Sequence, residues 1–147
     1  MALAAGLPAM FRVRVLRFFV ASVLWFALAV WAGVILWLSS LGAEQLPDAA
    51  FLAWDKLNHF LAFAAGGWLA AAALGASRRG SRVRTRVVFA VLLVASFGAV
   101  DEMSQLLSPG RSGGDLYDWI ADLIGAIAGA LLACFTHALL RIFIPRR

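Results

Sequence analysis

The stretch VDEMSQLLSPGRSGGDLYDWIAD, residues 100–122, holds five of the eight acidic residues of the chain. It lies between two uncharged apolar segments, VVFAVLLVASFGA (87–99) and LIGAIAGALLACFTHALL (123–140). Charged groups are costly to bury in lipid, so carboxylates at this place need a structural reason. The stretch predicts the end of one membrane-spanning helix, a turn and the start of the next helix, with the carboxylates gathered near a membrane surface.

The composition is that of an integral membrane protein. Of the 147 residues, 63% are hydrophobic and 14% are charged, and the mean hydropathy is +0.89. Soluble domains have roughly 45 to 50% apolar and about 25% charged residues. Cys134 is the only cysteine, which excludes a disulfide within one chain. The net charge of +5 is attributed to membrane orientation, so no nucleic-acid partner is expected.

Four segments are long and apolar enough to cross a membrane. About 20 helical residues span a hydrocarbon core about 30 Å thick. Transmembrane helices are accordingly predicted over residues 18–41, 57–76, 87–107 and 118–141. The connections are short and contain Gly or Pro, which leaves no room for a second domain between the helices. The sequence therefore predicts one all-α domain over residues 1–147, an integral membrane four-helix bundle.

The basic residues predict how the bundle is oriented. Eleven of the 13 basic residues lie on one side of the membrane if the chain crosses it four times. By the positive-inside rule that side is the cytoplasm, so both termini are predicted to be cytoplasmic. The protein is expected in the inner (cytoplasmic) membrane of the cell as a multi-pass protein, with all eight acidic residues at or near the outer side. The eleven basic residues are Arg12, Arg14, Arg17, Arg78, Arg79, Arg82, Arg84, Arg86, Arg141, Arg146 and Arg147.

Three of the predicted helices carry a polar pair at positions i and i+4 near the outer end. Such a pair shares one helix face, because an α-helix has 3.6 residues per turn. The pairs are Asp55 with His59, Asp101 with Gln105, and Asp118 with Asp122. Small residues continue these faces deeper in the membrane, where they allow helix backbones to approach closely. The glycines predicted to pack against other helices are Gly66, Gly98, Gly125 and Gly129.

Ionisable residues inside a membrane are usually paired and functional, so the acidic cluster is a candidate site. For Asp55 and Asp118 the alternative is stabilisation by the dipole at a helix N-terminus. Arg111 is predicted as the counter-charge, bound either to a carboxylate or to an anionic ligand. The catalytic candidates are Asp55, His59, Asp101 and Glu102, and the ligand-binding candidates are Gln105, Arg111, Asp118 and Asp122.

The cofactor stays open at this point. A divalent cation such as Mg²⁺ or Ca²⁺ is conceivable, because carboxylate oxygens are its usual ligands. No known loop spacing in the sequence indicates such an ion. The one histidine of the cluster, His59, has no second histidine nearby, and this favours acid/base work or a structural hydrogen bond over a zinc site.

Three ordered motifs resemble those of a known family. DKLNHF (55–60), DEMSQLLSPGR (101–111) and DLYDWIADLIGAIAG (115–129) are similar to the DKxxH, DExxQ…R and DxxxN/DxxG signatures of the VanZ-like family. Asp122 stands where many members have Asn. The resemblance implies a small four-helix bacterial membrane protein of the cell envelope. The family takes its name from a protein associated with resistance to the glycopeptide teicoplanin, so a link to antibiotic resistance is a further implication.

Two functions of different classes follow from these residues. The first is a site at the outer membrane face that binds, or chemically processes, an envelope lipid or a lipid-linked precursor. The alternative is a non-enzymatic structural or regulatory membrane protein that binds a partner through its Gly-rich helix face. The expected partners are therefore membrane lipid, an envelope lipid precursor or another membrane protein. A transporter is disfavoured, because the acidic residues are biased to one side of the membrane.

Overall fold

Four long helices make up the fold. The computed structural model describes residues 9–45, 55–78, 80–110 and 113–143. The helices are α1 (Ala9–Ser40), α2 (Asp55–Ser77), α3 (Val83–Gln105) and α4 (Leu116–Phe143), and a short 3₁₀ turn at Ala43–Gln45 follows α1. Each of the four is long and apolar enough to cross a membrane, and the described residues contain no strand. The predicted all-α membrane bundle is confirmed.

All four helices begin earlier than predicted. The helix α1 begins at Ala9 rather than at residue 18, α2 at Asp55 rather than at residue 57, α3 at Val83 rather than at residue 87, and α4 at Leu116 rather than at residue 118. The predicted starts of the first three helices lie where charged residues give way to apolar ones. Charged side chains at a helix end remain hydrated, so they do not end the helix. The helices continue through these residues until the turn-forming segments.

The core of the bundle is built mainly from small residues. Ala70, Ala90, Ala126 and Ala130 are completely buried, whereas many large apolar side chains lie on the outer surface of the bundle. Larger side chains in the core form an aromatic cluster of Trp31, Phe63 and Phe97, and the Trp31 ring centroid lies 5.4 Å from that of Phe63 and 5.1 Å from that of Phe97. Lipid is as apolar as these surfaces, so close packing rather than hydrophobic burial holds such helices together.

The tightest packing joins α2 to α4, and it depends on glycine. A Cβ atom at Gly125 would collide with the backbone carbonyl of Phe60, and one at Gly129 would collide with that of Ala64. From the other side, a Cβ at Gly67 would meet the backbone of Ala126. The backbones of α2 and α4 are therefore in direct contact. The glycine face of α4 is occupied by α2 of the same chain.

Replacement of Gly129 tests this contact. We expect Gly129→Ala to destabilise the bundle by about 1 to 3 kcal/mol, because the added methyl group meets rigid backbone atoms. Gly33→Ala is the matched control, since no atom lies within 4 Å of a Cβ at that position of α1. Thermal unfolding of both variants in one detergent, followed by circular dichroism, measures the difference. An equal melting temperature for the two variants would contradict the close α2–α4 contact.

Candidate functional site

The polar residues of three motifs meet at one end of the bundle. Successive helices run in opposite directions, so the C-terminal ends of α1 and α3 lie beside the N-terminal ends of α2 and α4. We call this region the acidic end, and the opposite end, which carries the arginines among the described residues, the basic end. The described residues that form the acidic end are Ser39, Asp55, Lys56, His59, Asp101, Glu102, Gln105, Ser108, Asp115, Asp118 and Asp122.

His59 and Asp122 form the innermost polar pair. The Nδ1 atom of His59 lies 2.9 Å from Oδ1 of Asp122, and Asp122 is completely buried. On the other side of the ring, Nε2 lies 3.9 Å from Oδ1 of the partly exposed Asp55. Gly98 provides the space for the buried carboxylate, because a Cβ at that position would lie 2.9 Å from Asp122 Oδ2. The imidazole is thus held between one buried and one partly exposed carboxylate.

Asp101 belongs to a separate network that joins α1 to α3. Its Oδ1 accepts a hydrogen bond of 2.6 Å from the Ser39 hydroxyl, and its Oδ2 accepts one of 3.1 Å from the Gln105 amide. The hydroxyl of Ser108 donates to the backbone carbonyl of Ser39 at 2.7 Å. All four side chains are buried. Because both oxygens of Asp101 are engaged within the protein, this carboxylate primarily locks two helices together.

Glu102 connects the site to the loop between α3 and α4. Its Oε2 accepts hydrogen bonds from the backbone N–H groups of Gly114 (3.1 Å) and Asp115 (3.0 Å). Gly114 has a φ of +80°, a backbone conformation that favours glycine. The other oxygen, Oε1, is buried and has no hydrogen-bond partner. The carboxylate therefore uses one oxygen to hold the loop and has a second one unused.

Lys56 is the described counter-charge of the acidic end, and the sequence reasoning did not include it among the site residues. Its ammonium group pairs with Asp118, with Asp115 at 3.1 Å and with Asp55 at 3.7 Å. The backbone N–H of Tyr117, followed by the Lys56 side chain, lowers the pKa of the Asp115 carboxyl below its ordinary value. The sequence contained an indication that Lys56 belongs to the site, because it is one of only two basic residues on the acidic side of the predicted topology.

The remaining predicted residues are placed as follows. Arg111, the predicted counter-charge, lies outside the described residues. Asp118 is buried at the start of α4 and is bound by Lys56. Gly66 lies against the indole ring of Trp31, where a Cβ would come within 2.5 Å of Cζ2. Ser39 was missed, because a serine at the end of an apolar segment has no distinctive pattern in the sequence.

Two groups of side chains have the spacing needed to hold a metal ion. One is formed by Asp55, His59 and Asp118, and the other by His59, Glu102 and Asp122. In each group, one possible ligand atom from every residue lies within 4.8 Å of the others. Lys56 already occupies a carboxylate of the first group. The second group is enclosed by three helices and contains the unused Glu102 oxygen.

The role of the Ser39 hydroxyl can be tested directly. Ser39→Ala leaves Oδ1 of the buried Asp101 without this donor, and we expect a loss of about 1 to 3 kcal/mol of stability. Ser40→Ala is the adjacent control, because the Ser40 hydroxyl bonds only to the Trp37 carbonyl of its own helix and is exposed. Thermal unfolding of the two variants in detergent distinguishes them. If Ser40→Ala lowers the melting temperature as much as Ser39→Ala, loss of the hydrogen bond from Ser39 to Asp101 does not explain the loss of stability.

Comparison with known proteins identifies a family. A family model described as VanZ/LLP1 matches residues 18–140 of the chain. The matched range contains every described residue of the acidic end. Neither the curated proteins nor the solved structures gave a match.

Proposed function

The chain belongs to the VanZ/LLP1 family, and on that premise we propose that its acidic end binds the polar head group of an envelope lipid or of a lipid-linked precursor. The observation that carries the proposal is the pair formed by the partly buried His59 and the buried Asp122, whose ring and carboxylate atoms lie 2.9 Å apart at the end of a membrane bundle. Buried polar groups inside a membrane bundle destabilise a protein unless another polar group or a ligand binds them.

Access to the pair supports a head-group ligand. Asp55 and Lys56 are each about half exposed, with side-chain exposures of 48% and 50%, and the His59 side chain behind them is 13% exposed. A polar head group at the membrane surface meets the exposed residues first and the histidine next. The acyl chains of the same molecule stay beside the apolar outer surfaces of the helices.

The proposal includes a chemical step on the head group. Of the catalytic candidates Asp101 and Glu102, Asp101 has both oxygens engaged, whereas Glu102 keeps Oε1 without a partner. Glu102 beside His59 is therefore the better candidate for taking or giving a proton. An imidazole held by a carboxylate is a common acid/base group, and proton transfer contributes typically 10²- to 10⁴-fold in rate.

The proposed site faces the outside of the cytoplasmic membrane. The described arginines lie at the basic end, and by the positive-inside rule we expect that end in the cytoplasm. The same rule places both termini there. A role in glycopeptide resistance stays a prediction from the family resemblance and forms no part of the binding proposal.

Reporter fusions test the orientation. A green fluorescent protein fused after Arg147 should fluoresce, and alkaline phosphatase fused at the same position should be inactive, because the fusion point is expected in the cytoplasm. Fusions after Gly110, in the loop at the acidic end, should give the opposite pattern. An active phosphatase after Arg147 would place the acidic end inside the cell.

The non-enzymatic alternative is supported in one respect. The Ser39–Asp101–Gln105 network binds helices to each other and needs no ligand. The idea that such a non-enzymatic protein binds a partner through its glycine face has less support, because the glycine face of α4 is already covered by α2. A substitution of His59 distinguishes the two functions. If the site binds a head group, the substitution lowers ligand occupancy. If the protein is structural, the substitution changes only its stability.

His59→Gln tests the binding proposal. Loss of the imidazole removes a contact worth roughly 1.5 to 3 kcal/mol if the partner is charged, which is about 10- to 100-fold in affinity. We expect native mass spectrometry of protein gently extracted from its own membrane to show a bound lipid on the wild type and little on His59→Gln. His137→Gln is the matched control, because His137 lies near the basic end on α4.

Melting temperatures of the same samples separate the two functions. If His59→Gln keeps the lipid and only melts earlier, the residue has a structural role and the binding proposal fails. Absence of any bound lipid on the wild type would also count against it.

A further inference from the structure

We propose that His59, Glu102 and Asp122 form a binding site for a divalent metal cation. The three residues come from α2, α3 and α4, and one possible ligand atom of each lies within 4.8 Å of the other two. The inference goes beyond the binding of a head group. It depends only on these side chains and not on a bound lipid, and a cation at Glu102 Oε1 would replace the proton-transfer role proposed for that oxygen.

Two unpaired oxygens point to the cation. Among the described residues, Glu102 Oε1 and Asp122 Oδ2 are the buried carboxylate oxygens that have no hydrogen-bond partner. Glu102 is 4% exposed and Asp122 is 0% exposed, so these residues are shielded from bulk solvent. A buried unsatisfied polar atom costs about 1 to 3 kcal/mol, and more when the group is charged. A cation between the two carboxylates removes this cost at both oxygens.

The second oxygen of each carboxylate is already held in place. Glu102 Oε2 accepts two backbone hydrogen bonds from Gly114 and Asp115, and Asp122 Oδ1 is paired with His59 Nδ1. Metal-binding carboxylates are typically oriented by such outer hydrogen bonds. The carboxylates are therefore fixed before a cation arrives, and each presents its unused oxygen.

The histidine fits the same arrangement. Two donors that are each about 2.1 Å from an ion and at right angles to each other are about 3.0 Å apart. Before a cation binds, His59 Nδ1 and Asp122 Oδ1 are hydrogen-bonded at 2.9 Å. A cation that replaces this hydrogen bond can take both atoms as adjacent ligands. The other ring nitrogen, Nε2, lies 3.9 Å from Asp55 Oδ1. Metal-binding histidines usually direct their second nitrogen to such an outer carboxylate.

A positive partner would stabilise the ionised forms of these adjacent carboxylates. When both are ionised they carry two negative charges, which one divalent cation neutralises. Lys56 does not supply this charge, because its described contacts are with Asp55, Asp115 and Asp118. Adjacent like charges in a buried place repel strongly. The cation would also give an otherwise acidic site an affinity for anionic groups.

The donor set selects the class of metal. One imidazole nitrogen and two carboxylates suit first-row divalent ions such as Mn²⁺ and Zn²⁺, whereas Mg²⁺ and Ca²⁺ prefer oxygen ligands alone. This differs from the Mg²⁺ or Ca²⁺ considered from the sequence, because the sequence did not place His59 between the carboxylates. The competing group of Asp55, His59 and Asp118 is less suitable, since Lys56 already binds Asp118.

Binding of Mn²⁺ alone to the full chain tests the inference. After chelator treatment in detergent, the wild type is expected to bind one Mn²⁺ per chain, measured by electron paramagnetic resonance. Glu102→Gln and Asp122→Asn should weaken binding by at least the roughly 10- to 100-fold that loss of an outer-shell partner costs. Glu44→Gln is the matched control, because Glu44 is an exposed acidic residue in the 3₁₀ turn that follows α1.

A second measurement needs no change at the site. Bound Mn²⁺ should show a ¹⁴N hyperfine coupling from an imidazole ligand, and the coupling should persist in His137→Gln, because the chain has only two histidines. Failure of the wild type to bind Mn²⁺ or Zn²⁺, or bound Mn²⁺ without a nitrogen coupling, would overturn the site. Unchanged affinity in Glu102→Gln and Asp122→Asn would do so as well. None of these readouts involves lipid, so they are independent of the head-group proposal.

Discussion

The direct backbone contact between α2 and α4 is the constraint on which the rest of the structure depends. In lipid, helices gain little from burying apolar side chains, so they associate where backbones approach closely. Gly125 and Gly129 allow this approach against Phe60 and Ala64. His59 precedes Phe60 in the chain, and Asp122 lies one turn before Gly125. The packing that holds the bundle together therefore also brings the imidazole within 2.9 Å of the buried carboxylate.

Much of the fold and part of the site follow from the sequence. The length of the apolar segments predicts four spans, and the i, i+4 spacing of Asp118 and Asp122 predicts a shared inward face. That spacing identifies a face, but it does not identify which residue of a neighbouring helix lies opposite. The pairing depends on the rotation and the axial position of each helix, which packing decides. For this reason Ser39 as the partner of Asp101, and Lys56 as the partner of Asp118, were not predicted.

The acidic residues separate into two sets with different environments. Asp101 is surrounded by donors from Ser39 and Gln105, as expected for a polar group that contributes to stability. Glu102 and Asp122 each keep one buried oxygen without a donor. Sequence analysis treated these carboxylates as one cluster, because they are close in the chain and similar in chemistry. Their hydrogen bonds show that adjacent positions on α3 have different surroundings.

The position of Glu102 between the loop and the interior has a mechanical consequence. Its Oε2 accepts hydrogen bonds from the backbone of Gly114 and Asp115, its Oε1 is buried without a partner, and the residue belongs to the group formed with His59 and Asp122. Both oxygens belong to one rigid carboxylate, so a change in the position of the inner oxygen also moves the oxygen that binds the loop. A rotation of this group that improves the inner contact strains the outer hydrogen bonds. Amide hydrogen exchange at residues 114 and 115 would therefore sense events that occur several ångströms away inside the bundle.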